Sequence, residues 1–206
     1  MTEPAPSESN RPSSRAQFWL LAALFLVPLA IAFFMYYGAG WRPQGTVNKG
    51  DLIHPARPLK ANTFLDPQDQ TIEEDILTGK WTLVYIGNGQ CDARCREALT
   101  LMRQTRLALG KDAPRVRGVF FATADCCDSS YLNAEHAGLI VARADEASDR
   151  EWLNQFPQYS GVPVEQAGRI YIVDPLGNLM MSYAPDAPDK ALLEDLKKLL
   201  KQSHIG

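Results

Sequence analysis

One stretch of this chain limits its folding options more than any other. Phe18 to Tyr37 is a run of twenty residues with no charge and no strongly polar side chain. As a helix it would span about 30 Å, the thickness of a bilayer's hydrocarbon core. Trp19 stands near one end, and Tyr36, Tyr37 and Trp41 near the other. Aromatic belts occupy such positions at the two membrane–water boundaries. Pro28, in the middle of the run, is tolerated in a membrane helix. Gly38-Ala39-Gly40 resembles a signal-peptide cleavage site. The run is nevertheless longer than the roughly 7–15 apolar residues of a signal peptide, so it reads as a retained anchor. Arg11 and Arg15 precede it, and Arg42 and Lys49 follow it. Counting basic residues therefore does not orient it.

The rest of the chain divides around this anchor. Residues 1–17 are polar and rich in Pro and Ser, a composition that cannot bury a core, and they read as a disordered tail. Residues 38–68 carry several Gly and Pro and little periodicity. They read as an extended stalk that lays Leu52, Ile53 and Leu59 along a domain formed by residues 69–206. The chain has 21 Lys and Arg against 24 Asp and Glu, a formal charge of −3. That balance lacks the basic excess of a nucleic-acid binder.

Within the domain, Trp81 to Ile86 (WTLVYI) is a continuous apolar run, as expected of a strand buried on both faces. Gly87-Asn88-Gly89 breaks it. Residues 91–109 then place Cys95, Ala98, Leu99, Met102 and Leu109 on one helical face, and Gly110 ends the helix. Val116–Ala122 is a second buried strand, which completes a right-handed βαβ unit with parallel strands. Leu139–Ala142 suits a short strand and Ser148–Phe156 a short helix. Arg169–Val173, the turn at Asp174–Asn178 and Leu179–Tyr183 form an antiparallel hairpin. A last amphipathic helix follows Asp186 and Pro188, with its Lys, Asp and Glu side chains on a solvated face. This order predicts a thioredoxin-like α/β fold, a mixed sheet flanked by helices and preceded by one transmembrane helix.

The cysteines carry the chemistry. Cys91-Asp92-Ala93-Arg94-Cys95 falls in the turn from a strand into a helix. A helix N-terminus favours a thiolate, Arg94 and Arg96 add positive charge, and Asp92 opposes them. The spacing lets both sulfurs meet across one helical turn, as a disulfide or as two ligands of one metal. The plain alternative is a pair of buried structural cysteines. Cys126 and Cys127 follow the second strand. Neighbouring parallel strands end at the same edge, so all four cysteines are expected at one rim. A vicinal disulfide is strained, so one of the adjacent pair at most is expected to face Cys91 and Cys95. His54 and His136 read as surface residues, and His204 as part of a frayed end. No zinc-type cysteine array, phosphate loop or nucleophile elbow is present.

With these motifs in hand, the sequence resembles the Sco family of the thioredoxin superfamily. These are membrane-anchored proteins that help build the copper sites of cytochrome c oxidase. The likeness rests on an anchor followed by a stalk, on Val84 to Cys95, and on Tyr171-Ile172-Val173-Asp174-Pro175-Leu176-Gly177. It covers residues from about 80 to 200. The chain also departs from the family pattern. Asp92 and Arg96 stand where Pro usually follows each cysteine. Gln166 stands five residues before Tyr171, where the family carries a copper-binding His. Gln is a poor substitute for imidazole on copper.

The resemblance implies three functions. The first is a thiol–disulfide redox factor that keeps cysteines of an oxidase subunit or copper chaperone reduced, with Cys91 and Cys95 as the catalytic pair. The second is a copper chaperone that binds metal through Cys91 and Cys95. The third is a non-catalytic assembly factor with a structural disulfide. The missing imidazole favours the first and third. The resemblance also places the domain on the periplasmic face of a bacterial-type inner membrane.

Overall fold

The computed structural model describes residues 14–38, 48–72, 75–203 and 205. Trp41, Arg42 and His204 lie outside them, as does most of the N-terminal tail. The chain divides into two compact units, residues 1–46 and 47–206. In the first, helix α1 (Ser14–Phe33) continues into one π-helical turn at Phe34–Gly38. The span Arg15–Gly38 is long and apolar enough to cross a membrane. Its large side chains, Leu20, Phe25 and Leu29 among them, are exposed. A helix that is apolar on all sides needs a surrounding apolar medium.

The second unit is built on one sheet. Its elements run β1 (Asp51–Pro58), β2 (Trp81–Gly87), α2 (Ala93–Ala108), β3 (Val116–Ala122), α3 (Ser129–Glu135), β4 (Leu139–Arg143), α4 (Ala147–Leu153), β5 (Ile170–Val173), β6 (Asn178–Tyr183) and α5 (Ala191–Gln202). The strand order is β1-β6-β5-β2-β3-β4. Strands β2, β3 and β4 are parallel, while β5, β6 and β1 join antiparallel.

Alternation along β2 splits the core between the two faces of the sheet. Leu83 and Tyr85 pack with Leu99 and Met102 of α2, Phe120, and Leu192 and Leu196 of α5. Val84 and Ile86 pack on the other face with Phe121, Trp152 of α4, Phe156 and Tyr171. Each such side chain contributes about 1.5–3 kcal/mol on burial. Just past α2, Gly110 adopts φ +57, a conformation open to a residue without Cβ, and a short 3-10 helix (Gly110–Arg115) follows before β3.

Three expectations are corrected by the structure. The segment read as stalk contains β1, which pairs with β6, so the compact unit begins well before residue 69. Only Ile53 of β1 is buried, as suits an edge strand. His136 is buried, because the chain leaving α3 tucks it beneath the Tyr131 ring. Its Nε2 lies 2.8 Å from the Tyr131 hydroxyl. Asp195, placed on the solvated face of the last helix, is also buried. Its carboxylate accepts from the backbone N–H groups of Lys49 and Gly50 at 2.6 and 3.1 Å, and from the Tyr183 hydroxyl at 3.2 Å.

Candidate redox site

Register places the chemistry. Strands β2 and β3 pair residue for residue from Trp81 with Val116 to Gly87 with Ala122. Both therefore end at the same rim, and the two cysteine loops emerge side by side. Thr123 N–H donates to the Gly87 carbonyl at 2.9 Å, and Gly89 N–H to the Ala124 carbonyl at 2.8 Å. Asp128 N–H returns to the Gly89 carbonyl at 3.1 Å. Asn88 and Gln90 add side-chain bonds to Asp125, to its carboxylate at 3.0 Å and its carbonyl at 3.1 Å.

Cys91 and Cys95 form a disulfide, with Cα atoms 5.0 Å apart. The residues are 1% and 2% exposed. Cys91 lies just before the helix in the left-handed region, at φ +50, and its N–H bonds the Asn88 carbonyl. Asp92 is the N-cap of α2 and accepts from the Cys95 N–H at 2.9 Å. The cap carboxylate thus takes a position at the helix N-terminus that would otherwise favour a thiolate.

Arg96 lies beside the pair and also has a structural job. Its Nε donates to the Cys91 carbonyl and its NH2 to the Asp128 carboxylate, each at 3.1 Å. Its guanidinium stacks on the Tyr131 ring, 4.4 Å from the centroid. It braces the two loops against each other.

Cys126 and Cys127 are joined to each other, a vicinal bond that corrects the expectation of one cysteine facing Cys91 and Cys95. Both are half-buried and pack against the core cluster that contains Cys91 and Cys95. The structure thus brings all four cysteines to one rim, as two disulfides.

A cleft of about 530 Å³ opens beside Cys95, lined by Tyr85, Asn88, Gln90, Arg94 and Gln166 among others. Gln166 therefore shares a cavity with the cysteine helix, while His54 and His136 do not line it. Tyr85 was missed in the sequence because it reads as one more apolar strand residue. Burial, reinforced by the Asp92 charge and opposed by Arg94, pushes its phenol up to about 12. It stays a neutral hydroxyl at the cleft wall.

A family model described as "Transmembrane-like, thioredoxin-like, C-terminal domain" matches residues 81–203. The chain belongs to this family. No curated protein matches it in sequence. Among solved structures, apo Sco1 from Thermus thermophilus is 19% identical, with 76% of this chain and 99% of that one covered at a TM-score of 0.56. Arabidopsis thaliana ScoI with copper bound is 18% identical, with 72% and 99% covered at 0.57. The thioredoxin domain of a thiol-disulfide oxidoreductase from Bacteroides vulgatus is 17% identical, with 69% and 95% covered at 0.52. These likenesses establish the thioredoxin-like fold, shared with Sco proteins.

Copper, bound in some of these relatives, has a poor donor set here. Among the described residues no three His, Cys, Asp or Glu side chains gather to hold a metal ion. Besides Cys95, the cleft offers the Asp92 and Glu165 carboxylates, the Gln166 amide and a neutral phenol, and no imidazole. These donors do not make a three-coordinate copper site.

Proposed function

We propose that this thioredoxin-like protein is a membrane-anchored thiol–disulfide redox factor in cytochrome c oxidase biogenesis, with its domain on the periplasmic side. The observation that carries the reading is the Cys91–Cys95 disulfide at the strand-to-helix junction, beside an open cleft. In the reduced form, the Cys91 thiolate attacks a disulfide on an oxidase subunit or copper chaperone. A mixed disulfide forms and one target thiol leaves. Cys95 then displaces the second target sulfur and closes the Cys91–Cys95 bond. Two electrons and two protons pass to the target.

Equilibrating the full-length chain in detergent with dithiothreitol redox buffers tests this. A reversible midpoint for Cys91–Cys95 near the glutathione range supports it. A bond resistant below about −300 mV marks a structural disulfide and a non-catalytic assembly factor, the reading favoured by the burial of both cysteines. The copper-bound relatives favour the remaining reading, a copper chaperone holding metal through the Cys91 and Cys95 thiolates.

A further inference from the structure

Oxidised Cys91–Cys95 presents a chemical problem. Thiol–disulfide exchange needs a thiolate to approach a sulfur along the S–S axis, so the rate depends on access. At 1% and 2% exposure in the oxidised protein, these cysteines give a protein thiolate poor access, so direct exchange at them is slow. The other disulfide at the same rim is placed differently, since Cys126 and Cys127 are partly exposed and also pack against the core cluster holding the buried pair. At Gly89 the two loops touch backbone to backbone, because a Cβ there would lie 2.6 Å from the Cys126 Cα. Arg96 ties the Cys91 carbonyl to Asp128, the residue after Cys127.

We propose that Cys126–Cys127 is a second redox-active disulfide, the entry point through which a protein dithiol re-reduces the buried Cys91–Cys95 bond. This rests on the thiol–disulfide reading above. A donor thiolate attacks one sulfur of Cys126–Cys127 and forms a mixed disulfide. The donor's second thiol resolves it, leaving the donor oxidised and Cys126 and Cys127 as thiols. One of these, as thiolate, attacks Cys91–Cys95, and one thiol of the buried pair leaves. The adjacent vicinal thiol then displaces the other, which re-forms Cys126–Cys127 and leaves Cys91 and Cys95 reduced. The net change moves two electrons and two protons from donor to buried pair.

The test uses the oxidised full-length chain in detergent, with reduced thioredoxin as the protein dithiol and dithiothreitol as the small one. In the Cys126→Ser/Cys127→Ser variant, thioredoxin should reduce Cys91–Cys95 at least tenfold more slowly than in wild type. The equilibrium midpoint against dithiothreitol should be unchanged. Equal thioredoxin rates in both proteins overturn the relay and leave the wider reading intact. If Cys91–Cys95 does not titrate reversibly in wild type, the wider reading fails and the relay with it. Should the double variant misfold, the oxidised wild-type chain decides by peptide mapping, with a thioredoxin whose resolving cysteine is replaced by serine. Thioredoxin trapped on Cys126 or Cys127 supports the relay, and thioredoxin trapped only on Cys91 or Cys95 overturns it.

Discussion

Gly89 and Cys126 meet backbone to backbone, so closely that the smallest side chain on Gly89 would fall 2.6 Å from the Cys126 Cα. The same Cβ would stand 2.9 Å from the carbonyl oxygens of Ala124 and Asp125. The two cysteine loops can therefore touch only where residue 89 lacks a Cβ. None of these neighbours is a flexible side chain that could swing away.

Gly89→Ala should push the loops apart and strain the bond from Gly89 N–H to the Ala124 carbonyl. Overpacking of this kind costs about 1–3 kcal/mol. Urea unfolding of the full chain in detergent should show a lower midpoint with an unchanged slope. A midpoint equal to wild type would mean the loops are not held as closely as the structure has them.

His136 makes stability depend on pH. Burial first, and the Arg103 guanidinium second, lower its pKa below the ordinary histidine value, while Glu135 opposes them. Arg103 also donates to the Glu135 carbonyl and lies 3.4 Å from its carboxylate. In the window between the folded and unfolded pKa values, the unfolded chain binds more protons. The neutral histidine's contribution is therefore complete above about pH 6.5 and falls as pH drops toward the folded value. His136→Gln should flatten the decline in thermal midpoint between about pH 7.5 and 5.5. An identical slope in the two proteins would rule out His136 as its source.

Asp195 anchors the start of the domain through the N–H groups of Lys49 and Gly50. Asp195→Ala would leave those donors and the Tyr183 hydroxyl without their carboxylate. The expected cost is about 3 kcal/mol, from hydrogen bonds to a charged group and buried donors left unmade. Amide exchange at Gly50 should accelerate more than exchange in β2. Uniform acceleration would argue that Asp195 acts on the whole domain and not on this segment.

How much of this was legible in the sequence follows from physical cause. Strands β2 and β3 were visible because burial on both faces demands an unbroken apolar run, and Trp81–Ile86 is one. The Cys91/Cys95 pair was visible because its spacing sits at a strand end. Strand β1 was not, since its segment DLIHPARP carries two prolines and an edge strand buries little. Its pairing also shifts register between Leu52 and Arg57. Cysteine connectivity was hidden because sequence does not determine how four cysteines pair. Asp195 and His136 were misread because polar neighbours along the chain suggest a surface, whereas their burial comes from distant partners in one case and a local ring in the other.

Gln166 provides the last prediction, on the copper alternative. It lines the cleft with Cys95 and Tyr85, and it stands where the Sco resemblance puts an imidazole. Two thiolates can hold copper(I), because soft sulfur suits that ion. Copper(II) prefers nitrogen and oxygen donors in tetragonal geometry, and an amide is a weak one. With Cys91 and Cys95 reduced, Gln166→His should supply the missing nitrogen and raise copper(II) affinity by tenfold or more, about 1.4 kcal/mol. Titration of both proteins, read from thiolate-to-copper charge-transfer absorption, measures it. A wild-type copper(II) site as strong as the variant's would mean that another side chain already completes the coordination, and the copper-chaperone reading would then displace the thiol–disulfide one.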